Sequence, residues 1–292
     1  MIDMKEEITL KNNLKKKINS RTHWLTGPAR SGTSIIGKIL ASFKDTEYFY
    51  EPDLLVSLFA LKKKIRNDHW LILFQTYFYF DLVKNGFNKR RVNLNFNDKG
   101  SYYFNYKKKD DLKKIKNFNI FNDTKNLKKN IIVKLPGYLD QIYSLKKKHK
   151  FKIYYVERDP LSVINSIYKK KWWSDNKKSN ILLVKKDGKT YPDWLKNRDY
   201  KFWNSLNEFE RSALYIVYLK RSLKNKKNIE ILNYDQLTKN PKEFVSNLKK
   251  ITKLKPTEKT FQIIKTIKIR KNNNEWIKDR LRLKIKNLLK LA

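Results

Sequence analysis

Apolar and polar positions along the chain alternate between two periods, and that alternation predicts a sheet wrapped in helices. The stretch Thr22-His23-Trp24-Leu25-Thr26 is short, apolar and stopped by Gly27-Pro28, as a buried strand would be. From Thr33 to Phe43 the apolar residues Ile35, Ile36, Ile39 and Leu40 fall at helical spacing. A second strand is predicted over Glu47–Tyr50, then a helix from Asp53, read as its cap, to about Ile65, and another from Asp68 to Asn85. NIIVKL at 130–135, FKIYYV at 151–156 and NIEILN at 228–233 read as further buried strands. Helices are expected over 139–148, from Pro160 onward behind an Asp159 cap, over 204–224, from Pro241 behind Asn240, and over 273–292.

Short apolar strands alternating with helices imply an α/β fold, a three-layer P-loop-like arrangement in which a parallel sheet is flanked by helices. Ligands in such a fold sit at the carboxyl ends of the strands. The expected division is a basic helical extension over 1–21, an α/β domain over 22–270 and a C-terminal amphipathic helix over 271–292. Within the domain, 86–107 reads as an insertion or lid and 172–203 as a loop-rich segment.

Composition then narrows the classes. A chain of 292 residues with 14% aromatic content can bury a sizeable core and is not a disordered polymer. It has no cysteine, so disulfides and thiolate metal sites are excluded, and its three histidines are too scattered for a metal cluster. No signal-like or membrane-spanning apolar run is visible, and a cytoplasmic location is expected. The net charge of +40 comes from lysine runs such as 15–17, 62–64, 107–109 and 146–148, set beside abundant Asn, Ile and Tyr. That bias is what an AT-rich coding sequence gives, so each run reads first as a solvated face. The field still favours anionic ligands and draws the protein toward anionic membrane surface. No helix-turn-helix, RNA-recognition or zinc signature accompanies it, so no specific nucleic acid is expected.

Three groups of residues carry candidate chemistry. Gly27-Pro28-Ala29-Arg30-Ser31-Gly32-Thr33-Ser34 joins a strand to a helix start, where glycines let the backbone wrap an anion. The frame is that of a P-loop, but Thr33 stands where a P-loop nucleoside triphosphatase carries lysine, and the cation is Arg30 on the loop itself. Arg158 closes a predicted strand, and Ser162 and Ser166 follow on one face of the next helix. Glu51-Pro52 closes another strand and offers a carboxylate for general base work.

The Pro-x-Arg-Ser-Gly-Thr-Ser loop resembles the 5′-phosphosulfate loop of sulfotransferases that use 3′-phosphoadenosine 5′-phosphosulfate (PAPS). The resemblance implies that Arg30, Ser31, Gly32, Thr33 and Ser34 hold the 5′-phosphate and the sulfuryl group. An arginine followed eight residues later by a serine is the family's 3′-phosphate pair, and Arg158 and Ser166 have that spacing. Glu51 is similar in placement to the base of carbohydrate-type members and their bacterial relatives. With Arg30 and Glu51 as catalytic residues, the implied reaction is metal-free sulfuryl transfer from PAPS to a hydroxyl acceptor, a carbohydrate among the options. Lys134 departs from the family's Lys-Asp-Pro by Leu135 and is a further anion contact; Tyr234-Asp235-Gln236-Leu237 matches a family segment but receives no role. The alternatives are a nucleotide-dependent kinase on the same scaffold and a non-enzymatic basic protein that binds nucleic acid. Trp172, Trp173, Tyr191, Trp194 and Trp203 read first as core under long loops and second as a sugar platform. The oligomeric state is left open.

Overall fold

The computed structural model describes residues 12–85, 129–146, 149–174 and 183–267. The expected lid at 86–107 and the C-terminal helix at 271–292 lie outside the described residues. Helix α1 (Asn12–Ser20) leads into β1 (Thr22–Thr26), α2 (Thr33–Ala41), β2 (Thr46–Tyr50), α3 (Asp53–Leu61) and α4 (Asn67–Gln75). After them come β3 (Asn130–Lys134), α5 (Leu139–Lys146), β4 (Lys152–Glu157) and α6 (Pro160–Tyr168). Then follow β5 (Leu183–Lys186), β6 (Lys189–Pro192), α7 (Tyr200–Asn204), α8 (Glu208–Lys224), β7 (Glu230–Asn233), α9 (Tyr234–Lys239), α10 (Pro241–Thr252) and α11 (Glu258–Lys265).

Five strands form one parallel sheet in the order β2-β3-β1-β4-β7, while β5 and β6 pair apart as a hairpin. Register explains the two cores. Trp24 pairs with Val133 and Ile153, and those three side chains join one apolar cluster with Phe59, Trp70 and Phe78. Their neighbours Leu25, Ile132, Tyr154 and Val156 join the opposite cluster with Ile36, Ile39 and Leu40. Alternation by one residue thus feeds both faces, as a parallel sheet covered by helices requires.

The chain crosses from the β3 side of β1 to the β4 side, so the carboxyl ends of β1 and β4 flank a topological switch point. Loop 27–32 and residues 158–159 lie there, and register also sets Lys134 of β3 between Leu25 and Tyr50.

Some expected boundaries moved for identifiable reasons. Asp53 does not cap α3; Pro52 occupies the cap position and Asp53 is the first helical residue, where its charge complements the helix dipole. The helix expected over 68–85 is α-helical only to Gln75 and continues as a wider π-helical turn to Asn85. The helix expected from 204 begins at Glu208, because Asn207 and Glu210 form a reciprocal capping box that stops it short. The segment read as loop-rich contains the β5–β6 hairpin, turned by Asp187 and Gly188, both with positive φ.

Candidate active site

The site begins with a backbone that only glycine tolerates at two places. Gly27 has φ 137°, and a Cβ there would lie 2.5 Å from the Val156 carbonyl oxygen of β4. Gly32 has φ 99° at the N-cap of α2, and a Cβ would meet the Tyr234 ring at 2.1 Å. Between them Arg30 is left-handed, with φ 71°. No side chain caps α2, so its first-turn amides point out of the helix start and favour an anion. Ser31 is buried and turns inward: its hydroxyl donates to the Pro28 carbonyl at 2.7 Å and its amide to the same oxygen at 3.1 Å. Of the loop residues, Ser31 therefore serves the turn, while Gly32, Thr33 and Ser34 open the helix.

Arg30 and Arg158 come together here. The Arg158 guanidinium donates through Nη1 to the Arg30 carbonyl at 3.1 Å and lies 4.8 Å above the Tyr234 ring. Its Nε is buried with no partner among the described residues. The exposed Arg30 side chain donates through Nε to Ser166 Oγ at 3.1 Å. Ser162 is occupied elsewhere, donating its hydroxyl and amide to the Asp159 cap, so Ser166 alone of the two serines reaches this point. The buried Arg158 Nε is thus a donor with unused hydrogen-bonding capacity, beside the backbone of Arg30. Tyr234, which the sequence left without a role, is the floor under Arg158 and the reason residue 32 must be glycine. Asp235 beside it accepts from the Asp159 amide at 3.1 Å and fixes the turn that carries Arg158.

A third group lies at the ends of β2 and β3. Lys134 is 1% exposed, and its ammonium makes an ion pair with Glu51, donates to Ser34 Oγ at 2.9 Å and sits 4.0 Å from the Tyr50 ring centroid. The Glu51 amide donates to the Lys134 carbonyl at 3.0 Å, continuing the strand register. Glu51 is left-handed at φ 41°, so both residues expected to be catalytic sit in a conformation costly for a side chain with a Cβ. Through Lys134 the Glu51 carboxylate is tied to the first turn of α2.

Comparison with known families decides the identity. The sulfotransferase domain model matches residues 20–286. The chain belongs to the sulfotransferase family. It is accordingly a transferase enzyme of the α/β, P-loop-like class. Among solved structures, this sulfotransferase is similar to the sulfotransferase domain of the Synechococcus PCC 7002 olefin synthase, at 12% identity and TM-score 0.46 over 93% of this chain and 94% of that one. It is also similar to the sulfotransferase domain of the curacin biosynthetic pathway, at 13% identity and TM-score 0.45 over 84% and 77%. A sulfotransferase from Alicyclobacillus acidocaldarius matches at 12% identity and TM-score 0.42 over 92% and 96%. No curated protein matches the sequence. Among the described residues of the sulfotransferase, no helix is long and apolar enough to cross a membrane.

The aromatic residues after the arginine site are mainly core. Trp173, Tyr191 and Trp203 are buried in a cluster with Phe209 and Ile216, against which Trp172 and Trp194 pack. Sequence reasoning passed over Asp193, which follows β6 directly. Its Oδ2 accepts from the Tyr138 hydroxyl at 3.1 Å, and burial pushes its carboxyl above the usual range. The signal available was a lone acid in an apolar, aromatic run, YPDWL.

Proposed function

We propose that this sulfotransferase uses PAPS as donor and sulfates a hydroxyl of a small or carbohydrate acceptor, with Glu51 as base. The junction of Arg30, Arg158 and Ser166 beside the uncapped start of α2 carries the reading, because it offers separate contacts for two phosphates of one nucleotide. The unpartnered Arg158 Nε fits that ligand: a phosphate oxygen would satisfy it. Arg158 and Ser166 would hold the 3′-phosphate, and Arg30 with the amides of Gly32, Thr33 and Ser34 the 5′ end. What the bound donor supplies is one sulfuryl group, whose S–O bond to the 5′-phosphate breaks as the acceptor oxygen takes the sulfur.

Glu51 takes the proton of the attacking hydroxyl, which in general base catalysis is worth about 10²- to 10⁴-fold in rate. Lys134 holds the Glu51 carboxylate in place and brings a positive charge to the start of α2, where negative charge gathers during transfer. Thr33 in place of a P-loop lysine supports this donor over a nucleoside triphosphate. Titration calorimetry should show micromolar or tighter binding of 3′,5′-adenosine diphosphate and none of magnesium–ATP. Tight binding of magnesium–ATP alone would return the protein to the kinases.

A further inference from the structure

Helix α3 turns more apolar surface to solvent than its packing requires. Its core side is fully used: Leu55, Leu58 and Phe59 are buried, and the Phe59 ring lies 5.8 Å from Trp70 and 6.0 Å from Phe74 of α4. Yet Leu54 is 50% exposed and Leu61 42%. A heptad drifts only about 20° on an α-helix, so these two leucines stand on one flank. Leu73 on α4 is exposed as well, whereas Tyr168, Phe202, Ile231 and Phe261 stand singly on separate elements. Scattered single apolar residues need no partner, but grouped ones mark a contact surface. The same helix runs directly into Lys62-Lys63-Lys64 and Arg66. Lys62 is held, its ammonium 4.7 Å from the Trp70 ring centroid and donating to Ser144, and Arg66 pairs with Asp68. Lys63 and Lys64 are exposed, and Lys64 follows Leu61 by three positions, the spacing that makes helix neighbours. The exposed acid of α3, Asp53, lies at its opposite end.

We propose that this flank, formed by Leu54, Leu61, Lys63 and Lys64, docks the protein on the surface of a bilayer rich in anionic lipid. With 9 residues α3 is too short to cross the hydrocarbon. It lies in the interface, leucines among the upper acyl chains and ammonium groups at the lipid phosphates. Charge complementarity selects this occupant. A second copy of a chain carrying +40 brings lysines against lysines, whereas an anionic leaflet attracts them. A soluble polyanion would satisfy the lysines and leave the leucines in water. Docking does not depend on which donor is used. It does bear on the acceptor side, since Leu54 is within about 11 Å of chain from Glu51, which places the proposed base near the headgroups.

The chain has no cysteine, so Leu61→Cys accepts a single polarity-sensitive maleimide dye, and Phe261→Cys on α11 provides a control site. Each labelled full chain is mixed with phosphatidylcholine vesicles, with or without about a third phosphatidylserine. On the anionic vesicles the dye at 61 should shift to the blue and be quenched by brominated acyl chains; the dye at 261 should do neither. A charge of +40 draws any face to an anionic surface, so the second measurement is charge-matched. In flotation with the same vesicles, Lys63→Glu with Lys64→Glu should weaken binding at least tenfold. Lys185→Glu with Lys189→Glu, the same charge change on the exposed β5–β6 hairpin, should weaken it less than threefold. Leu54→Ser with Leu61→Ser, at unchanged charge, should weaken it about tenfold. The proposal is overturned by no binding to anionic vesicles, by bound chain with the dye at 61 unmoved, or by equal losses for the two lysine pairs. A blue shift at 61 on raising protein concentration without vesicles would assign the flank to a second copy and overturn it too.

Discussion

Glu51 and Lys134 form an ion pair whose two halves have unequal access to water: the lysine side chain is 2% exposed and the glutamate 37%. A buried ammonium needs its counter-charge, and removing one partner of such a pair typically costs about 3–5 kcal/mol when both are buried. Glu51→Gln keeps a hydrogen-bonding oxygen for Lys134 but cannot take a proton. Turnover should fall at least a hundredfold while calorimetric affinity for 3′,5′-adenosine diphosphate stays within threefold; full activity would remove Glu51 as base. Arg158 lends itself to a second test. Losing a charge-assisted contact of this kind costs about 1.5–3 kcal/mol, so Arg158→Ala should weaken 3′,5′-adenosine diphosphate roughly ten- to a hundredfold. Affinity for 5′-adenosine monophosphate, which lacks the 3′ group, should barely move. An equal loss for both nucleotides would assign Arg158 to the loop rather than to the 3′-phosphate. At this scale the residue types were readable from sequence: an arginine after a strand, a serine eight positions on, a glutamate before a proline. The partners were not, because Lys134 meets Glu51 across 83 positions and Arg158 meets Tyr234 across another strand.

Elements were more legible where punctuation is local. Asp159-Pro160 predicts a capped helix start, and the Asp159 carboxylate accepts from the Ser162 amide at 2.8 Å. Asn240 likewise accepts from Glu243 at 3.3 Å. The misses had local signals too: Asn207-x-x-Glu210 is a capping box, and Asp187-Gly188 is a two-residue hairpin turn hidden in a lysine-rich run. The wide turn Thr76–Asn85 had none, since its apolar pattern is equally good α-helix. Gly32 belongs to this scale because it joins a loop to α2 and touches α9. Gly32→Ala adds a Cβ at φ 99° and 2.1 Å from the Tyr234 ring, so the ring or the loop must shift. Binding of 3′,5′-adenosine diphosphate should drop at least tenfold, with a fall in melting temperature. A variant with unchanged binding would show that the close approach of loop and Tyr234 is not needed for the anion site.

For the molecule as a whole, the central strand carries a pH liability. His23 of β1 is buried, stacked on Tyr154 at 5.7 Å and bonded to its hydroxyl at 2.9 Å. Burial first, then the nearby Lys152 charge, lowers its pKa from an ordinary 6.5 to about 4, against an opposing hydrogen bond with the Asn130 side chain that favours the protonated ring. The unfolded chain takes up this proton below 6.5 and the folded one only near 4, so unfolding binds protons in between. Stability should be level in this term above pH 6.5 and fall as pH drops toward 4, by about 3 kcal/mol in total. Urea denaturation at pH 7.5, 6 and 5 measures it. An identical decline in His23→Gln would exclude this histidine as the cause.

Sequence alone determined the strand–helix alternation, the absence of cysteine chemistry, the glycine loop before α2 and the identity of the charged residues near it. These are local matters: period, glycine placement and capping act over a few residues, and the chain states them directly. Tertiary structure decided what those residues face. Strand order β2-β3-β1-β4-β7 put Lys134 beside Glu51 and Arg158 against the Arg30 carbonyl, and it brought Ser166 to the Arg30 side chain. It also set Tyr234 beneath the second arginine and Asp193 against Tyr138. Parallel strands pair across long loops, so which side chains share a crevice is a property of sheet order, and no short window of sequence contains it.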